Sequence, residues 1–79
     1  MFINKAADGR NNLCGDNVAR YRKERGLSQR GLADLLQIHG LDVDKNAIQR
    51  IEAGKRFVTD IELAALASVL EKNLEQLLA

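Results

Sequence analysis

Lys45, Asn46, Gln49 and Arg50 sit in a stretch whose apolar members, Ala47, Ile48 and Ile51, gather on one side when the chain is wound at about 100° per residue. Asn46, Gln49 and Ala53 then point the opposite way, flanked by Lys45 and Arg50. Asn and Gln carry a donor beside an acceptor and make paired hydrogen bonds to adenine; Arg does the same to guanine, and Lys reaches guanine or phosphate. The small Ala53 on the same side leaves room for a duplex. No carboxylate shares this outward side, whereas an exposed helix usually mixes Glu with Lys for i,i+4 support. A plain solvated helix fits the same pattern, so the neighbouring segments must decide.

The segment before it offers an anion site. Ser28 is a good N-cap, and Gln29, Arg30 and Gly31 follow with no acid, although Asp or Glu is the usual choice in a first turn. Free N–H groups, the helix dipole, Gln29 and Arg30 together favour a phosphate. Gly31 inside a helix costs about 1 kcal/mol against Ala, which close approach to a phosphate would explain and simple drift would explain equally. Lys55 and Arg56, just past the base-matching stretch, add two cations at a turn.

Helices must position these residues, and punctuation in the sequence predicts five. The first runs from about Asp16 to Arg25 and stops at Gly26; the second follows Ser28 up to His39–Gly40. A link, Gly40–Val43, leads to a third helix capped by Asp44 and closed by Gly54. Thr59 with Glu62 forms a capping box for a fourth, and Asn73 begins a last turn. The expected core is Val18, Tyr21, Leu27, Leu32, Ala33, Leu36, Val43, Ile48, Ile51, Leu63, Leu66, Ala67, Leu70, Leu74 and Leu77. Residues 1–14 show no sustained periodicity and are expected to form a loosely ordered arm, with the domain over 15–79.

Composition bounds the rest. The chain has 79 residues, no proline and one cysteine, which fits one small all-helical domain without a disulfide framework. One cysteine and one histidine cannot build a structural zinc site, and no metal or other cofactor is expected. A thiol–imidazole pair would need Cys14 and His39, which fall in the arm and at a helix end, so catalysis is not expected. Neither a signal peptide nor a membrane span is legible, and a reducing, cytoplasmic setting is expected. The net charge of +1 conceals a split: residues 1–56 carry +4 and residues 57–79 carry −3. A basic end that meets an anion and an acidic end that faces water or a partner would show this polarity.

From Gly15 to Leu78 the chain resembles the Cro/CI-type (XRE-like) helix-turn-helix family. The resemblance rests on NVARYRKERGLSQ (17–29), LADLL (32–36), AIQRIEAGKR (47–56) and TDIELAALASVLEKNLEQLL (59–78). It implies an all-α, five-helix lambda-repressor-like domain, bacterial or phage in type, acting as a transcriptional regulator. It places the second helix across the backbone of double-stranded DNA and the third in the major groove. By matching position, Lys45, Asn46, Gln49 and Arg50 face the groove, Gln29 touches phosphate, and Arg22 pairs with Glu52 to tie the first helix to the third.

Two departures from the family pattern stand out. The turn between second and third helices, normally three to four residues, is extended here by GLDV (40–43), with Leu41 and Val43 expected to dock on the core. Arg30–Gly31 stand where acids are common in relatives. The resemblance implies a homodimer on a palindromic operator. It also leaves open an antitoxin-like or accessory module that binds a protein through the acidic, leucine-rich end at Glu71, Leu74, Glu75, Leu77 and Leu78.

Overall fold

A computed structural model describes residues 5–79. Five helices follow one another: α1 (Gly15–Glu24), α2 (Gln29–Ile38), α3 (Lys45–Glu52), α4 (Asp60–Leu70) and α5 (Leu74–Leu78), with no strand among the described residues. The caps explain the boundaries. Ser28 accepts the Gly31 N–H at 2.9 Å, and Asp44 accepts the Ala47 N–H at 2.8 Å. Thr59 and Glu62 cap α4 reciprocally, and Asn73 with Gln76 does the same for α5. Gly26 and Gly54 end α1 and α3 at φ of 71° and 75°, where a side chain would be strained.

No helix here can bury its stripe alone, so all five converge on one core. Val18 and Tyr21, Leu32 and Leu36, Ile48 and Ile51, Leu66 and Leu70, and Leu77 meet there. Three expected core members differ. Leu27 and Leu63 are only partly buried, and Leu74 is 48% exposed, because α5 spans little more than one turn and turns only Leu77 inward. Cys14 and Ala65 join the core instead. Burial among apolar neighbours pushes the Cys14 thiol pKa up, disfavouring the reactive thiolate.

The extended connection spans residues 39–44 and is fastened at both ends. Leu41 donates its N–H to the Leu36 carbonyl at 2.9 Å, and the Gln37 amide reaches the Val43 carbonyl at 2.7 Å. Val43 is buried and Leu41 packs half-buried on the core, which accommodates the added residues.

The start of the domain differs from the loose arm expected over 1–14. Residues 1–4 lie outside the described residues, but 10–14 are firmly attached. Arg10 pairs with Asp16 at 2.7 Å, and Asn11 and Asn12 bond to the far end of α3. Gly15 allows this closeness, since a Cβ there would overlap the Ile51 carbonyl oxygen.

Between α3 and α4 lies a titrating lock. Arg56 donates to Glu62 at 2.7 Å, and Glu62 also accepts the Thr59 N–H at 2.9 Å. Burial opposes ionisation of Glu62, yet these bonds outweigh it and hold the carboxyl pKa below its ordinary 4.5. The stabilisation is therefore complete above that ordinary value and is lost as pH falls through the lowered one. Urea midpoints measured from neutral pH to about pH 3 are expected to fall less steeply for Glu62→Gln than for the unaltered chain.

Candidate nucleic-acid interface

Ala47, Ile48 and Ile51 are buried, which fixes the rotation of α3 about its axis. Lys45, Asn46, Gln49, Arg50 and Ala53 are consequently exposed together. The amphipathic reading of this helix thus puts its amides and cations in water, with no acid in its first turn. Asp44 does carry a charge at the helix start, but its carboxylate is engaged as the N-cap.

A buried tie sets the placement of α3 against α1 and α2. Arg22 and Glu52 are joined by two bonds, Nε to Oε2 at 2.7 Å and Nη2 to Oε1 at 3.0 Å, with side chains only 10% and 9% exposed. Arg22 also donates to the Leu27 carbonyl at 2.8 Å. Its hydrogen bonds to Glu52 raise the guanidinium pKa further above its ordinary value. Gln29 joins the cluster by donating its amide to Glu52 at 3.0 Å. The residue matched to a phosphate contact is thereby held in place at the first position of α2, with its carboxamide spanning the gap to α3.

The other matched residues separate into two groups. Arg30 and Lys55 are exposed and, like Lys45 and Arg50, have no ion-pair partner among the described residues. Arg56 is instead half-buried and committed to Glu62. Gly31 has a local reason beside any functional one: a Cβ there would crowd the capping Ser28 hydroxyl at 3.2 Å.

Reading by motif missed a second set of contacts at this same C-terminal end of α3. The last carbonyls of any helix lack intrahelical partners; two side chains from before α1 supply donors to them here, and Asn11 fastens the turn that follows. Arg10 reaches the Glu52 carbonyl at 3.3 Å, and Asn12 bonds the Ile51 and Arg56 carbonyls at 3.1 and 2.8 Å. Asn11 bonds the Lys55 carbonyl at 3.0 Å, while its backbone N–H meets the Gly54 carbonyl at 2.8 Å. Gly54 is needed for this too, since a Cβ would lie 2.5 Å from Arg10 Nε. No local signal marked these contacts, because Asn11 and Asn12 fall in a polar stretch without periodicity and their partners lie 39 to 44 residues away.

With α3 so anchored and its polar face outward, residues 18–77 of the chain match the helix-turn-helix family model. The chain belongs to the helix-turn-helix family. Among solved structures, this helix-turn-helix chain is similar to the restriction-modification controller protein C.AhdI from Aeromonas hydrophila. That likeness is at 28% identity and a TM-score of 0.70, covering 80% of this chain and 84% of that one. It also shares its fold with the DNA-binding domain of BldD, at 24% identity and a TM-score of 0.74, covering 94% of this chain and all of the other. Comparison with curated protein sequences finds no match. The five-helix, Cro/CI-like architecture implied by the sequence is the one observed. No helix among the described residues is long and apolar enough to cross a membrane.

Proposed function

We propose that this helix-turn-helix regulator is a sequence-specific reader of double-stranded DNA, with α3 in the major groove. The observation that carries the reading is the exposure of Lys45, Asn46, Gln49 and Arg50 together on a short helix whose C-terminal end is tied to α1, α2 and the segment before α1. Lys45, Asn46, Gln49 and Arg50 read base edges; Gln29, Arg30 and Lys55 hold the phosphates on either side. Arg56, first grouped with the phosphate contacts, acts chiefly through Glu62 to set the turn that carries Lys55. The likeness to a controller protein supports a regulatory role.

Two copies on a palindromic site complete the proposal. Half-sites about 34 Å apart would each receive one α3. Leu74 and Leu78, exposed at 48% and 43% on α5, offer apolar surface for the second copy.

Selection of bound duplexes from a random pool gives the site, and substitutions then sort the contacts. Gln49→Ala or Asn46→Ala is expected to cost about 1–3 kcal/mol at one base pair per half-site and relax preference there. Arg30→Ala and Lys55→Ala are expected to weaken all duplexes alike. A uniform loss from all four would remove the base-reading assignment. Absence of duplex binding at low salt would favour the protein-binding module instead.

A further inference from the structure

The extended connection does more than lengthen the turn: with α4 it walls an open hollow. Leu41, Ile61, Ala64 and Ala65, with His39 and Gly40, line a space of about 410 Å³. A second hollow of about 230 Å³ shares Gly40 and Leu41 with it and extends to Gln37 and Asp42. Ile61, on the wall of the larger hollow, is 72% exposed. Single exposed apolar side chains are ordinary, but one at a concave site is not.

The charge around this groove has one sign. Segments 31–44 and 57–71, which build it, contain no Lys or Arg. Of their six acids, Glu62 is paired with Arg56, Glu71 with Arg25, and Asp44 is taken up as a cap. Asp34, Asp42 and Asp60 are exposed without an ion-pair partner among the described residues. Asp42 lines the second hollow, and Asp60 precedes Ala64 by one helical turn.

Asp42 and Asp60 repel a phosphate backbone, which argues against a duplex as the occupant. A second copy meeting the groove face to face would set these two acids against their own counterparts. An apolar protein segment bearing Lys or Arg satisfies both features, its apolar side chains filling the hollow and its cations meeting Asp42 and Asp60. We infer that the groove between the extended connection and α4 docks a partner protein through an amphipathic helix with a basic polar face. The inference does not rest on the DNA reading.

A peptide with Leu at i, i+3, i+4 and i+7 and Lys between them serves as the probe, and its Glu-for-Lys counterpart serves as control. Titrated into the ¹⁵N-labelled full chain, the Lys peptide is expected to move the amides of Gly40, Leu41, Ile61 and Ala64. With a net charge of only +1, the chain as a whole gives a cationic peptide no general attraction. Ile61→Asn should weaken binding about tenfold, and Asp42→Asn with Asp60→Asn should weaken it further at low salt. Both sets lie on exposed side chains, and unchanged melting verifies that the variants fold. The inference is overturned if neither peptide binds, if both bind alike, or if the shifted amides lie elsewhere. Concentration-dependent self-association abolished by Ile61→Asn would equally overturn it, by assigning the groove to a second copy.

Discussion

Glu52→Ala is expected to be the most destabilising single change considered, at about 3–5 kcal/mol. The substitution strands the Arg22 guanidinium in a site where its side chain is 10% exposed, and it removes the acceptor that holds Gln29. An isolated buried charge is what makes breaking such a pair costly, while replacing both partners by apolar groups is often neutral. At roughly 4–8 °C of Tm per kcal/mol for a domain of this size, the melting temperature should drop by about 12 °C or more. Joint replacement, Arg22→Leu with Glu52→Leu, is expected to recover much of that loss, and a double-mutant cycle by urea denaturation measures the coupling directly. An unchanged Tm for Glu52→Ala would show that the tie does not organise the fold. The exposed face of α3 is chemically untouched by these changes, so any folded fraction should keep its sequence preference.

The second large effect is on duplex affinity against salt. Arg30 and Lys55 on each of two copies neutralise four phosphates, and Lys45 with Arg50 can raise this to eight. At about −0.9 per phosphate, the log–log slope should fall between roughly −4 and −7. Raising salt from about 50 to 200 mM then weakens binding by on the order of 10²–10⁴-fold. Fluorescence anisotropy on a selected duplex provides the slope. A slope of about −2 would mean that a single copy's Arg30 and Lys55 carry the contact, and a flat response would mean that the four exposed cations do not meet phosphate.

How much of this was legible in the residues depends on the range of the interactions. Ser28, Asp44 and Thr59 act on N–H groups three residues away, so the helix starts could be read from local sequence alone. The orientation of α3 was equally legible, because Ile48 and Ile51 leave only one side to bury. The contacts from the segment before α1 were not. Asn12 meets Ile51 and Arg56 across 39 and 44 residues, and a polar stretch without periodicity looks the same whether it is loose or tied. Arg56 shows the same limit: its charge is plain in the sequence, but its pairing with Glu62 depends on how the turn before α4 closes. Leu74 was placed inside by its spacing from Leu77, while the shortness of α5 keeps it at the surface.

The central claim, that α3 reads base edges from the major groove, is tested most directly by altering the DNA rather than the protein. In a selected duplex, 7-deaza purines remove the N7 acceptor from the major groove, and inosine in place of guanosine removes the N2 amine from the minor groove. Binding is expected to fall by about 1–3 kcal/mol at one or more deaza positions in each half-site and to stay level with inosine. Indifference to every deaza substitution, with sensitivity to inosine, would contradict the account.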